Sequence, residues 1–336
     1  MSGLVRMRGW LAARRRFQFV LTLVMVTTLT AACGALLMLP NSVLPKIRAV
    51  VPGSDSALAS ASDPQLPGLR RIMDSYGKIV AEPVSTGAGR IGIVLGHPGR
   101  VSDVELLSGE LAAATLAVSA LWGTDWSQAP VVVVASSPAE FAALTNSTGL
   151  VPAEVAAATV SDAFHPGARP TGQRVVFGSE AGQRLGPDGM RAVLRHELTH
   201  VATRAVTVDG SPQWMLEGFA EYAAHRGMQR PFAEVAPTLT TRARAGDLPA
   251  DFPADALFDP AGGQAAYAYE QAWAACAFLA DQYGDPALVN LYRLMASGPK
   301  DRAAVEGIVR TALNAEYPDL IARWRVWIGS RAAEGI

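Results

Sequence analysis

The residues best suited to chemistry lie in two short runs. The first is His196-Glu197-Leu198-Thr199-His200, and the second is Trp214-Met215-Leu216-Glu217-Gly218-Phe219-Ala220-Glu221-Tyr222. On a helix, His196 and His200 stand four residues apart and project from one face, close enough to grip a single metal ion. Glu197 is turned about 100° from His196, which puts it beside the metal rather than on it. A general base stands there to take a proton from a water held at the metal. Two His and one further carboxylate, with a fourth position left for water, make the donor set of a catalytic zinc site.

Spacing also says how the third donor arrives. Val193, Leu194, Leu198, Val201, Ala202 and Ala205 recur at helical intervals and predict a helix over Arg191–Val206. A second helix is predicted from Ser211 as N-cap, with Pro212 as its first residue, to about Arg226, before Gly227. The connection Thr207–Gly210 is short and ends in Asp209-Gly210, so the two helices fold into an antiparallel hairpin. His200 precedes the turn by about 9 Å of helix and Glu217 follows it by about 9 Å, so the hairpin brings them level. Glu221 then comes level with His196. It either accepts the outer ring N–H of His196 and fixes its tautomer, or is a solvated helix residue.

These runs resemble the gluzincin metallopeptidases, in particular the compact peptidase MA-like domains. The resemblance implies a zinc-dependent peptidase with His196, His200 and Glu217 as metal ligands and Glu197 as base. Glu217 matches the ligand Glu of the E-G-x-A motif. A third block, Tyr269-Glu270-Gln271-Ala272-Trp273 leading to Phe278-Leu279-Ala280-Asp281-Gln282-Tyr283-Gly284, is similar to a helix of those domains, and Arg323-Trp324-Arg325-Val326-Trp327 is similar to their closing helix. Tyr269 aligns with a position from which a phenol reaches over the metal to an oxyanion; Tyr267 is an equally near candidate, and a structural Tyr is the alternative for both. The resemblance covers roughly residues 65–336 and implies a protein or peptide substrate.

Two departures narrow the family. The G-x-M-E-N motif of the large aminopeptidases is absent, and Thr203 and Val206 stand where a three-His metal site needs Gly and His. A non-catalytic peptidase-like module that binds a protein or cell-wall ligand is the rival reading. The intact base and ligands weigh against it, and a carboxylate ligand weighs against a purely structural zinc, whose sites favour Cys.

The rest of the chain sets location. Residues 1–16 form a basic cytoplasmic N-terminus, with five Arg before the 23 uncharged residues Phe17–Leu39. At about 1.5 Å per residue that stretch can cross a bilayer core of about 30 Å, and the positive-inside rule leaves everything after it outside the cytoplasm. A cleaved signal peptide and a lipoprotein acceptor at Thr30-Ala31-Ala32-Cys33 are the alternatives, and they place the domain on the same side. Beyond the seven basic residues of the first fifty, 22 basic groups face 30 acidic ones, a balance that disfavours nucleic acid as a partner. Residues 40–64 read as a linker, in a Pro/Gly/Ser/Ala-rich stretch that continues to Gly68. Residues 65–336 read as one zincin-like domain.

Within it, strands are predicted at Ile91–Leu95, Pro130–Ala135, Ala156–Phe164 and Arg174–Gly178, and helices at Val101–Trp122 and Pro138–Leu144, the latter capped by Ser137. After Glu221 the chain reads as helical apart from the stretch Arg230–Gln264. Strands first and helices afterwards predict an α+β fold, a small sheet lobe and a helical lobe with zinc in the cleft between them. Cys276 reads as a packing residue on an apolar helix. His97 and His165, each in a His-Pro-Gly turn, and His225, at a helix end, read as solvated. Arg242 and Arg244 read as solvated loop charges, with binding of an acidic substrate as their alternative.

Overall fold

The computed structural model describes residues 63–147, 155–163 and 168–334. The predicted anchor, the linker up to residue 62 and His165 lie outside the described residues. The fold is mixed α and β. Its first half builds one five-stranded sheet from β1 (Val80–Gly87), β2 (Arg90–Gly96), β3 (Val131–Val134), β4 (Ala157–Val160) and β5 (Arg174–Phe177), in the order β1-β2-β3-β5-β4. The central pairs β2–β3 and β3–β5 are parallel, and the outer pairs β1–β2 and β4–β5 are antiparallel.

Four consecutive Val in β3 follow from that placement. Side chains alternate across a strand, so a strand covered on both faces needs apolar residues at every position. Val94, Val132 and Val175 form one cross-strand row, and Leu95, Val133 and Val176 the next. The first row joins the core shared with α2 (Val101–Trp122) and α4 (Ala181–Thr203), and the second joins a smaller core with α1 (Leu66–Asp74) and α3 (Pro138–Leu144). By length and composition α2 could span a membrane. Its Val104, Leu107, Leu111 and Val118 are instead buried, and it packs on β1, β2 and α4.

The second half is helical: α5 (Gln213–His225), α6 (Phe232–Val235), α7 (Pro237–Arg244), α8 (Ala265–Tyr283), α9 (Asp285–Met295), α10 (Arg302–Leu313) and α11 (Tyr317–Ala333). Trp122 meets Phe219 and Tyr292 edge to face where α2, α5 and α9 converge, and Phe219 and Tyr292 are tilted against each other, with ring centroids 4.7 to 5.8 Å apart. Cys276 is fully buried on α8, as a packing residue should be.

Several expectations are corrected. The linker composition hides α1, which begins at Leu66 with Pro67 in its first turn, where a missing N–H costs nothing. The predicted strand Pro130–Ala135 contracts to β3, and of Ala156–Phe164, whose last residue lies outside the described residues, only β4 is strand among the described ones. The metal helix starts earlier than Arg191: Gly186, at φ +63°, breaks the segment and Pro187 restarts it. Ser211 does not cap α5. Its hydroxyl donates to Val208 O, and Asp255, 42 residues downstream, caps the helix by accepting from Gln213 N at 2.9 Å. Arg230–Gln264 is not structureless, since it holds α6 and α7. His97 is not solvated: it is 5% exposed, with Nε2 2.7 Å from Glu140 Oε1 and Nδ1 3.0 Å from Lys78 O.

Candidate metal centre

The hairpin forms as the spacing requires. α4 and α5 pack against each other, and α5 packs closely on α8. That second contact depends on Gly218. A Cβ there would run into the Ala272 backbone and lie 3.0 Å from Cys276 Sγ, so only glycine lets α5 settle at this depth. The residue before it is Glu217, and the seating of α5 on α8 fixes how far that carboxylate reaches toward α4.

Three donor atoms converge from the two helices. His196 Nε2 and His200 Nε2 are 3.1 Å apart, and Glu217 Oε2 lies 3.3 Å from the first and 3.6 Å from the second. Two ring nitrogens this close share either a single proton, as an N–H···N hydrogen bond, or a cation that both coordinate. Donors placed tetrahedrally at about 2.0–2.1 Å from zinc are about 3.3–3.4 Å from one another. The three observed separations bracket that value, and two imidazoles with one carboxylate are ligands zinc accepts. The residues present fit the ion, and they are the one such group of three among the described residues.

The surroundings favour positive charge. Burial would raise the Glu217 carboxyl, but His200 and His196 outweigh it and hold its pKa well below the ordinary range. Burial is likewise outweighed at Glu221, whose pKa is pulled down to about 2 by His196 and His225. His196 shows the converse: burial disfavours its charged form, yet Glu221 and Glu217 push its pKa well above normal. The cluster therefore stabilises a cation in its midst, whether protons or a metal.

Glu221 approaches the other side of the His196 ring. Its Oε1 lies 3.1 Å from His196 Nδ1, on the ring's far side from Glu217. The approach is bent rather than in line, and Nδ1 has no other partner in its buried position. Oε2 of the same carboxylate is 3.6 Å from His225 Nε2. The solvated reading of His225 is thereby corrected: its side chain is 16% exposed and its ring meets Trp273 edge-on.

Glu197 is 8% exposed and lines the same cavity as the three donors without belonging to their group. Thr159 Oγ1, from edge strand β4, donates to Glu197 Oε2 at 2.7 Å and to its backbone carbonyl at 3.0 Å. Sequence reasoning missed Thr159, although it is the one polar side chain in β4, and that was the available signal. Tyr269 and Tyr267 also separate. Tyr269 joins the centre, its ring 6.5 Å from that of His196, while Tyr267 lies under Arg242 at 4.4 Å. Burial and the carboxylates of Glu217, Glu221 and Glu197 push the Tyr269 pKa far up, so its phenol stays protonated.

A cavity of about 320 Å³ opens over these groups, lined by Glu197, both His, Glu217, Tyr269, Thr159, Ser161, Thr203, Arg204 and Thr207. Thr203 and Thr207 are steadied from below, their hydroxyls 3.0 and 2.9 Å from the buried Tyr292 hydroxyl. Arg242 and Arg244 do not line it. Arg242 pairs with Asp247, and Arg244 Nε donates to Ala332 O.

No protein-family model matches the chain, and no curated protein does. Among solved structures it is similar to an M1 zinc metallopeptidase from Deinococcus radiodurans, at 19% identity and a TM-score of 0.46, over 76% of this chain and 53% of that one. A mutant of an M1 zinc metallopeptidase from the same organism, bound to a Tyr-Ser-Ala substrate, matches at 16% identity and a TM-score of 0.44, with the same coverage. The chain spans about half the length of these structures.

Proposed function

We propose that the chain is a zinc-dependent peptidase that acts on protein or peptide substrates outside the cytoplasm, tethered to the membrane by residues 17–39. The observation that carries this reading is the convergence of His196 Nε2, His200 Nε2 and Glu217 Oε2 at tetrahedral spacing, with a buried carboxylate, Glu197, alongside. His196, His200 and Glu217 would hold the ion. Bound zinc supplies a Lewis acid that lowers the pKa of water to about 7 and polarises a carbonyl.

Every other part falls to the protein. Thr159 holds Glu197 by Oε2, which leaves Oε1 to take the proton of the attacking water and return it to the departing amine nitrogen. Tyr269, kept protonated, donates a hydrogen bond to the oxyanion of the tetrahedral intermediate, a contact typically worth about 3 kcal/mol. Glu221 orients the His196 ring. Strand β4 ends the sheet beside the cavity, so an extended peptide laid along its open edge would gain backbone hydrogen bonds and pass Glu197.

The test is digestion of an unbiased peptide library by the purified protein. Cleavage should stop with a zinc chelator and return with added zinc. Cleavage that survives complete zinc removal would contradict the reading, and zinc binding without cleavage would favour the binding module. Topology has its own measurement. A reporter fused after Ile336 should be active outside the cytoplasm and one fused before Phe17 inside, with detergent but not high salt releasing the protein. A C-terminal reporter active in the cytoplasm would overturn the orientation.

A further inference from the structure

We infer that a second groove, separate from the metal centre, binds a neutral oligosaccharide. The inference is independent of the peptidase reading, because the groove and the metal cavity share no lining residue. Helices α8 and α11 leave a cavity of about 410 Å³ between them. Trp273, Ala277 and Ala280 recur at helical spacing on α8, so one large ring is followed by two side chains too small to fill the gap. On α11, Trp327 and Arg331 stand one turn apart, with Glu334 just past the helix end. Phe232, on α6, closes the corner. Its ring centroid is 5.3 Å from that of Trp273, at 42°, and 5.7 Å from that of Trp327, at 80°. Rings inclined in this way do not cover one another face to face, and both Phe232 and Trp327 stay partly exposed. Trp327 is also held in place, its Nε1 donating to Asp281 Oδ2 at 3.1 Å. The aromatic wall is therefore formed before any ligand arrives.

The lining rules out other ligands in turn. Among the described residues no Leu, Ile, Val or Met lines the groove, and four charged side chains do, so an aliphatic chain would desolvate ions and gain little contact. Those charges are already matched. Arg331 Nη2 is 3.3 Å from Asp281 Oδ1 and Nη1 is 3.1 Å from Glu334 Oε2, while Arg230 Nη2 is 4.0 Å from Asp188 Oδ2. The Arg331 guanidinium also lies 5.4 Å from the centre of the Trp327 ring, the place a ligand cation would take. Neither an anion nor a cation finds an uncompensated partner here. What remains is an aromatic wall beside paired ions that still offer lone pairs and N–H groups, since Asp281 and Arg331 keep 40% and 36% of their side chains exposed. A hexopyranose has the same two sides. Its face of C–H groups suits the negative face of an aromatic ring, and its neighbouring hydroxyls suit the two oxygens of a carboxylate or the fork of a guanidinium.

The experiment uses the full chain in a polyoxyethylene detergent, because a sugar-headed detergent would compete. The probes are cellotriose and triacetylchitotriose, two neutral chains of equatorially substituted hexopyranoses. Calorimetry gives the affinity, and saturation transfer from irradiated aromatic protons shows which sugar protons lie against a ring. At least one of the two should bind once per chain, with its axial C–H protons receiving the strongest transfer. Trp327→Ala should weaken binding by about 10-fold, the upper end of what an aromatic pair contributes. Trp327→Phe should weaken it less, since it keeps a ring and loses only the bond to Asp281. Asp281→Ala should cost about 3- to 10-fold, the worth of a hydrogen bond. The charged counterparts, chitotriose and cellotriuronate, should bind no more tightly than the neutral sugars. Glu217→Gln should bind sugar as the wild type does, so failure of the metal centre leaves this result intact.

No binding of either neutral sugar overturns the inference, as does binding that Trp327→Ala and Asp281→Ala both leave unchanged. Tighter binding of a charged counterpart shows a groove that reads charge, and overturns it too. A Trp-containing tripeptide amide that binds where neither sugar does assigns the groove to peptide instead. If Trp327→Ala fails to fold, the Trp327→Phe and Asp281→Ala affinities decide, and wild-type values in both count against the sugar site.

Discussion

Glu197→Gln is expected to fold, keep its zinc and lose hydrolysis by about 10²–10⁴-fold, the range for removing a general base. The substitution preserves the shape of a side chain that is only 8% exposed, so packing has little reason to change. The Thr159 hydroxyl that donates to Glu197 Oε2 at 2.7 Å can donate equally to an amide oxygen. What disappears is the lone pair on Oε1 that accepts the water's proton. Since Glu197 stands apart from the three converging donors, metal content should be untouched. Peptide turnover and zinc content measured on the same preparation give the answer. Zinc lost together with activity would mean that Glu197 is a ligand.

Glu217→Gln should fail in the other order. Its Oε2 lies 3.3 Å from His196 Nε2 and 3.6 Å from His200 Nε2, so it belongs to the donor set itself. A neutral amide oxygen in place of an anionic donor weakens the hold on a divalent cation. It also removes the negative charge that, with Glu221, keeps positive charge stable at the centre. Zinc affinity should fall by more than the roughly 10–100-fold that accompanies loss of an outer partner of a ligand, and activity should follow the metal. Glu221→Gln supplies the internal scale, because Glu221 touches His196 from the far side and should fall inside that range. Titration of each apoprotein with zinc against a competing chelator measures all three. Equal affinities for the wild type and Glu217→Gln would remove Glu217 from the site.

The parts of this site legible in the sequence are those fixed by one helix or one hairpin. His196, Glu197 and His200 share a helix, so their relative directions follow from its pitch alone. Glu217 and Glu221 need only the short turn between two helices. Tyr269 and Tyr267 were harder: two residues apart on α8, they point about 200° from each other, and only packing says which faces the metal. Thr159, Arg204 and the Asp255 cap depend on segments brought together from dozens of residues away, or on the far end of a side chain, which no local pattern reports. His97 was misread for the same reason. His97-Pro98-Gly99 has the local chemistry of an exposed turn, yet Glu140, 43 residues on, draws the ring inside. In the fold, the buried strand β3 and the helix α2 were readable from their apolar pattern, and α3 from the Ser137 cap before it. Helix α1 was hidden because Pro67 and Gly68 suit a linker as well as a first helical turn.

The most direct test of the metal centre is elemental analysis of the zinc-to-protein ratio, on the wild type and on His200→Ala purified in parallel without added metal. The wild type should carry about one zinc per chain. His200→Ala should carry far less, because the two remaining donors are too few to retain zinc through purification. Stoichiometric zinc in His200→Ala would contradict the account at its centre.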